Sequence, residues 1–273
     1  MTVERSTVFG TTAETYDAAR PNYPDTLIDT VLEFAGSVSA DRRAVEIGAG
    51  TGKATVAFAG RGVPVLAVEP DPRMAEVLRR NTAALPGVDG PGVEVRIGRF
   101  EDAAPQDHGA GLVYAAQSWH WLDRETRRDH VHRALAPGGA VALFWNLTGI
   151  VDRDLAERMT ALDDRWDMGM RHVAGWAAEF AGEIEATADN DWAGFEFRED
   201  ARFTDQRSVR FRNGVSWHTS DQWVERLSTH SGTQILAPAD RAELLDAVRA
   251  LLDANGGGLE AASFTDLFLA RAV

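Results

Sequence analysis

The chain of 273 residues contains no cysteine, so disulfide frameworks, cysteine-ligated zinc sites and cysteine nucleophiles are excluded. A reducing compartment fits that composition. No apolar run approaches the roughly 20 residues that a membrane span needs, and no basic-then-apolar leader pattern opens the chain. A cytoplasmic protein without a membrane partner is therefore expected. Positive charge is also in short supply. The formal net charge is −14 at pH 7, and such a surface repels nucleic acid unless a local basic patch intervenes. The basic clusters are small: Arg42-Arg43, Arg79-Arg80, Arg127-Arg128 and the looser set Arg207, Arg210 and Arg212. The last reads as the solvated side of a strand, and nucleic acid is not an expected partner. Internal repeats and low-complexity linkers are missing as well.

What remains is ordinary globular material. Hydrophobic residues make up 44% and charged residues 26% of the chain, as in soluble domains, and the length suits one large α/β domain or a core with a smaller attachment. Short apolar runs predict buried strands at Ala44 to Ile47 and Val63 to Val68, alternation predicts a third strand at Val93 to Ile97, and further strands are expected at Leu112 to Ala116 and Ala140 to Trp145. Helical patterns fall between them, at Thr51 to Ala59, from Pro72 onward, and at Asp123 to Leu135. Alternation of this kind implies a parallel sheet with helices on both faces, in which ligands sit at the carboxyl ends of the strands. Flanking the core, helices are expected at Thr26 to Phe34, Asp152 to Trp166, Asp221 to Leu227 and Ala239 to Leu252. Strands are expected at Phe195 to Phe203, Val209 to Val215 and Phe264 to Ala270.

The most informative segment is Glu46-Ile47-Gly48-Ala49-Gly50-Thr51-Gly52. Glycines at three alternate positions let backbone approach a ligand and turn sharply from strand to helix, and the helix that follows opens with unpaired N–H groups. Three ligand classes use such a turn. A P-loop needs glycine where Ile47 stands and Ser or Thr where Ala54 follows Lys53, so it is excluded. A dinucleotide fingerprint needs glycine where Lys53 stands, which argues against a nicotinamide-dependent oxidoreductase.

Val45 to Gly52 resembles the first motif of the class I S-adenosylmethionine-dependent methyltransferases. Phe9, Ala13, Tyr16, Asp17, Ala19-Arg20-Pro21 and Tyr23-Pro24, together with Ala115 to Trp121, resemble the branch of trans-aconitate and related small-acid carboxyl methyltransferases. The resemblance extends from residue 9 to about 145. It implies a Rossmann-like fold with a mostly parallel seven-stranded sheet, an N-terminal helical arm and a C-terminal insertion over the site. The corresponding divisions are an arm and lid over 1–40, a cofactor core over 41–150, and an acceptor-pocket segment with the last strands over 151–273, all in one compact domain. It also implies S-adenosylmethionine as cofactor and methyl transfer to a small acceptor, at a carboxylate or hydroxyl oxygen, by in-line displacement. A protein that binds the cofactor without transferring its methyl group would keep the same loop.

Under that resemblance Glu46, Gly48, Gly50, Thr51 and Gly52 cradle the cofactor, and Glu69, followed by Pro70, grips both ribose hydroxyls, since a carboxylate accepts two hydrogen bonds from a cis-diol. Glu69 as a helix-capping or surface acid is the alternative. Arg99 stands where the family commonly has an adenine-binding acid. Phe100 is then expected to pack on the adenine or in the core, with Glu101 or Asp102 accepting from the exocyclic amine. Gln117 and Ser118 are expected beside the sulfonium. His120 would act as a general base for a hydroxyl acceptor or orient a carboxylate, or else bond to backbone. Trp119 or Trp121 would face the sulfonium or lie beneath the substrate. Tyr16 and Arg20 share a helix face; Arg20 would pair with the cofactor's carboxylate or an acidic substrate, and Tyr16 joins the catalytic set. Trp166, Met168, Met170, Trp176 and Phe180 suit an apolar acceptor or plain helix packing. His130 and His132 point to different helix faces and are not read as metal ligands. The sequon Asn146-Leu147-Thr148 ends a core strand and is not read as a glycosylation site.

Overall fold

The computed structural model describes residues 13–36, 38–39, 41–83, 85, 92–103, 108–166 and 196–273. Trp176, Met168, Met170 and Phe180 lie outside them, as does Phe9. Seven strands form one sheet: β1 (Ala44–Ile47), β2 (Val65–Glu69), β3 (Val93–Ile97), β4 (Ala110–Ala116), β5 (Leu135–Ile150), β6 (Phe203–Thr219) and β7 (Gly258–Ala272). Their order is β3-β2-β1-β4-β5-β7-β6. The chain starts in the middle at β1, steps outward to β3, and returns to the other side of β1 as β4. The pairs β1–β2, β2–β3, β1–β4 and β4–β5 are all parallel. Reversal of direction between β1 and β4 creates a crevice at their carboxyl ends.

The helices are α1 (Ala13–Ala19), α2 (Asp25–Ala35), α3 (Lys53–Ala59), α4 (Pro72–Ala83), α5 (Phe100–Ala103), α6 (Arg127–Ala134), α7 (Arg153–Trp166), α8 (Ser220–Ser228), α9 (Ser231–Ile235) and α10 (Pro238–Ala254). They group with the strands into two units. One comprises residues 22–145, 186–211 and 265–273; the other comprises 1–21, 146–185 and 212–264. Each has its own apolar core.

In the first unit β1 and β2 are buried along their whole length, as strands sandwiched on both faces must be. Helix α2 presents Leu27, Ile28, Val31, Phe34 and Ala35 to this core, a spacing that keeps one stripe of the helix inward. Its packing against Phe58, Val65 and Tyr114 makes it part of the core, although the sequence suggested grouping it with the arm. In α4, Pro72 opens the helix and Met74, Ala75, Val77 and Leu78 are buried. Strand β5 is longer than expected because Pro137-Gly138-Gly139 is carried inside it as an irregularity: between the pairs Ala110↔Leu135 and Leu112↔Ala140 the two strands advance unequally. Gly138 takes φ +75° there.

The expected strand at Phe195 to Phe203 is corrected over its described part. Residues 197–199 and 201–202 form turns, and β6 starts only at Phe203. Asp200 accepts from the Arg202 N–H and guanidinium, and its own carbonyl accepts from the Phe203 N–H at 3.0 Å. Those local bonds close the turn, while Phe197 is fully buried against Phe203 and Phe268. Aromatic alternation in the sequence thus reported burial without extension. The strand expected at Val209 to Val215 is one stretch of the continuous β6.

The second unit is built on Ile150, Leu155, Ala156, Met159, Trp223, Leu227, Leu244, Val248, Leu252 and Leu259. Pro238 opens α10, and Leu244, Val248 and Leu252 recur every four residues as its buried face. Helix α8 begins with a full capping box: Thr219 accepts from the Gln222 N–H, and the Gln222 side chain accepts from the Thr219 N–H.

Candidate functional site

The turn after β1 is held open by backbone that only glycine adopts readily. Gly48 and Gly50 have φ +60° and Gly52 has φ +90°. The surroundings add a second constraint. A Cβ at Gly48 would stand 2.8 Å from the Ser118 Cβ, and one at Gly52 would stand 2.3 Å from Leu78 Cδ1. The loop is thus clasped between the exit of β4 and helix α4. The Ala49 N–H donates to the Val68 carbonyl at 3.0 Å, and the Asn81 amide donates to the Thr51 carbonyl at 2.9 Å. Asn81 was not singled out in the sequence. The available signal was its place seven residues after Met74 on the buried face of α4, where a polar side chain interrupts an apolar stripe. The Thr51 hydroxyl is buried and has no hydrogen-bond partner among the described residues, and an orphaned polar atom of this kind fits a loop that receives a polar ligand.

Two buried carboxylates support this turn in different ways. Glu69 ends β2 with 4% of its surface exposed. One of its carboxylate oxygens accepts from the Gly50 N–H at 2.7 Å and the other from the Asp71 N–H at 2.9 Å. Burial raises its pKa to about 7, against the lowering effect of those two N–H groups. The Gly98 N–H donates to the Glu69 carbonyl at 3.0 Å, which ties the end of β3 to the same point. Glu46 is directed inward instead. Its Oε2 accepts from the Thr55 hydroxyl at 2.5 Å and from the Tyr114 hydroxyl at 2.8 Å, Tyr114 being its register partner on β4. Complete burial raises the Glu46 pKa to about 8. Thr55 and Tyr114 fasten the strand that carries the loop, and neither was predicted from sequence, since one bond spans 68 residues.

At the exit of β4, Gln117 adopts φ +63° and its N–H donates to the Phe144 carbonyl at 3.0 Å. The Ser118 hydroxyl donates to the Ile47 carbonyl. Gln117 and Ser118 are thereby set at the crevice between β1 and β4, with Gly48 directly against Ser118. Trp119 opens a short 3₁₀ turn, is 2% exposed, and has the Arg127 guanidinium 4.7 Å from its ring centroid. Arg127 also donates to the Trp119 carbonyl at 2.9 Å and is paired with Glu196. Phe197 lies 5.8 Å from Trp119, ring to ring. Trp119 is therefore a packed core residue with a cation already over its ring, an arrangement that does not offer that face to a sulfonium. His120 and Trp121 are neighbours, with centroids 4.6 Å apart. His120 keeps an accessible surface, yet desolvation by the protein around the ring, and then the Arg127 charge, lowers its pKa to about 4. Phe100 is buried at the start of α5, and Glu101 pairs with Arg99 at 3.3 Å. Pro70 lies between the anchored residues Glu69 and Asp71.

Three of the sequence-predicted residues belong to the other unit. Just after α1 the Arg20 guanidinium lies 5.2 Å from the Tyr16 ring centroid, the i, i+4 contact expected from spacing. Arg20 donates to the Thr229 hydroxyl at 3.1 Å and to the Thr229 carbonyl at 3.2 Å. Trp166 packs against that unit's core, with Arg165 4.6 Å from its ring. Among the described residues no group of three or more His, Cys, Asp or Glu is placed to hold a metal ion, and no helix is long and apolar enough to cross a membrane.

Residues 44–139, which span the glycine turn, Glu69 and β4, match the family model of the methyltransferase domain. An uncharacterized methyltransferase of Mycobacterium tuberculosis (strain H37Rv) is 35% identical over 187 residues, covering 63% of this chain and 71% of that one. Among solved structures, a protein of Anaeromyxobacter dehalogenans assigned as a type II methyltransferase superposes with a TM-score of 0.51 at 20% identity, covering 92% of this chain and 97% of that one. Phosphoethanolamine N-methyltransferase 2 of Haemonchus contortus, in complex with phosphomonomethylethanolamine and S-adenosylhomocysteine, gives a TM-score of 0.51 at 14% identity over 99% of this chain and 60% of that one. The two structural likenesses speak for the fold, and the sequence relative speaks for the family. The chain belongs to the class I S-adenosylmethionine-dependent methyltransferases, enzymes that take S-adenosylmethionine as cofactor.

Proposed function

We propose that this methyltransferase acts on an oxygen of a small acceptor, a carboxylate in preference to a hydroxyl, and that the turn from Gly48 to Gly52 with Glu69 holds the cofactor. The observation that carries the reading is the Glu69 carboxylate. It is fixed at the carboxyl end of β2 by the Gly50 and Asp71 N–H groups, and each of its oxygens keeps a lone pair for a further donor, as a ribose diol requires. When bound, S-adenosylmethionine supplies a methyl group already activated on a sulfonium.

The chain's part is then alignment and exclusion of water. Gly48, Gly50 and Gly52 let the backbone come close, and the Thr51 hydroxyl offers an unused polar atom. Pro70, Phe100 and Glu101 flank the adenine side, while Gln117 and Ser118 stand where the reacting methyl is presented. Glu46 acts through the strand, as a positioning residue held by Thr55 and Tyr114. His120 favours the carboxylate over the hydroxyl. Desolvation of its ring and the Arg127 charge lower its pKa, which weakens it as a base for an alcohol, whereas a carboxylate needs no base. His120 then orients the acceptor. The small-acid branch suggested by Tyr16, Arg20 and the Ala115 to Trp121 segment agrees with that preference.

Two measurements test the reading. Glu69→Gln is expected to weaken S-adenosylhomocysteine binding about 10- to 100-fold by calorimetry, since one acceptor oxygen is replaced by an NH₂ facing backbone N–H donors. Native binding is expected to tighten as pH rises through about 7, when Glu69 ionises, and the variant should lose that dependence. An unchanged dissociation constant in the variant would remove Glu69 from the site. Turnover of methyl-labelled cofactor against small carboxylic acids and phenols tests the acceptor. Methyl esters release volatile methanol in alkali and aryl ethers do not, so label that stays non-volatile would overturn the carboxylate preference.

A further inference from the structure

The second unit contains a concentration of positive charge that the methyl-transfer reading does not use. Arg226 lies in the last turn of α8 and is partly buried. Its guanidinium donates to the Thr148 hydroxyl at 2.5 Å and sits 5.5 Å from the Trp223 ring centroid. Among the described residues it has no carboxylate partner. The charge acting on it is another cation, Arg20, and burial followed by that repulsion lowers its pKa to about 10. Two histidines complete the surroundings. His218 is 5.7 Å from Trp223, ring to ring, and is held below its ordinary pKa by burial and by Arg226. His230 follows the Thr229 that binds Arg20, and is held well below its ordinary pKa by burial, Arg20 and Arg226.

A protein of net charge −14 has acids in excess to neutralise an enclosed arginine. Among the described residues none is paired with Arg226, and desolvating a cation without a counter-charge is costly. The guanidinium has five N–H donors in a planar fork, of which the Thr148 bond engages one. Hydroxyl, imidazole and indole groups around it are compatible with an incoming anion. We propose that Arg226, with Thr148, His218 and His230 around it and Arg20 adding charge, is a binding site for the carboxylate of a small molecule. A bidentate carboxylate matches the fork in shape and supplies the missing charge. This inference does not rest on the oxygen-acceptor reading. The source of that carboxylate is a free small acid, for which succinate stands in below.

The test uses the full chain and two kinds of probe. Succinate at 10 mM, against sodium chloride of equal ionic strength, is expected to raise the melting temperature of the native protein by about 3 °C, and Arg226→Gln should abolish that shift. Should that variant fail to fold, Arg226→Lys keeps the charge, loses the fork and is expected to cut the shift by half or more. A second probe pair, S-adenosylhomocysteine and 5′-methylthioadenosine, checks that the site takes a free acid. Arg226→Gln weakening the first at least tenfold and leaving the second unchanged would overturn the free-acid assignment. If a free acid is the ligand, both nucleosides bind the variant as they bind the native chain, and only the succinate effect disappears. A succinate effect no greater than that of chloride, together with unaltered nucleoside binding in the variant, overturns the site. Native binding of S-adenosylhomocysteine is scored in the same experiment, so failure here is distinguishable from failure of the cofactor assignment.

Discussion

The glycine turn and the surroundings of Arg226 solve opposite problems. In the first, backbone N–H groups bind a carboxylate that burial has made reluctant to ionise, Glu69 beside Gly50 and Asp71. In the second, side-chain cations are enclosed with no acid paired to Arg226 among the described residues. The first is made by one contiguous stretch of chain and the strand ends next to it. The second is assembled from β5, β6, α8 and the residues that follow α1 and α8, none of which is informative alone. Contiguous sites are made by backbone shape and assembled ones by side-chain charge, and variants should fail accordingly.

The largest expected effect breaks the backbone side of this contrast. Gly48→Val forces a β-branched residue into φ +60° and drives its Cβ into the Ser118 Cβ, 2.8 Å away. Ser118 cannot yield easily, because its hydroxyl is bonded to the Ile47 carbonyl. Strain and overpacking together are expected to cost about 2–4 kcal/mol of stability, and S-adenosylhomocysteine binding should fall more than 100-fold. The succinate shift should survive in whatever fraction folds. Denaturant titration and calorimetry read the two quantities separately, and near-native binding would mean that the turn does not need glycine.

Glu46→Gln gives a smaller effect and sharpens the contrast through pH. Burial raises the native pKa of Glu46 to about 8 from an ordinary value of 4.5. The fold therefore prefers the protonated acid, so this contribution to stability is full below about 4.5 and is lost as pH rises through about 8. Glutamine keeps the carbonyl oxygen that accepts from Thr55 and Tyr114 and cannot ionise. The variant is expected to match the native protein near pH 5 and to exceed it at pH 9 by on the order of 2 kcal/mol. A stability difference independent of pH would show that Glu46 is ionised in the native state.

Much of the first region was legible in the sequence for the same reason that it is sensitive to these changes. Buried parallel strands leave mostly apolar runs, and β1 was placed at the residues where it occurs. A glycine turn also leaves its mark within seven residues. Legibility ended where a residue's meaning depends on distant partners. Trp119 could not be recognised as core without Arg127 and Phe197. Glu46 could not be separated from Glu69 without Tyr114. The Phe195 to Phe203 segment has a strand's alternation but buries its aromatics from a turn. Arg226, four segments away from any motif, gave no sequence signal at all.

The smallest effect concerns how α8, which carries Arg226, begins. Helix α3 opens at Gly52 with no side-chain cap, whereas α8 opens with Thr219 and Gln222 capping each other reciprocally. A capped start satisfies two backbone donors that would otherwise go unmet and fixes where the helix begins. It therefore bears on the end of α8 by holding its register, with Trp223, Val224 and Leu227 buried along one side. Thr219→Ala is expected to lower unfolding free energy by about 1 kcal/mol, read from the urea midpoint at unchanged slope. Because the cap touches neither Arg226 nor the glycine turn, S-adenosylhomocysteine affinity and the succinate shift should both stay within twofold of native values. A loss of the succinate shift at intact cofactor affinity would mean that the Arg226 site is held by the register of α8, in addition to its own side chains. The charge-assembled region would then prove as dependent on local backbone as the glycine turn is.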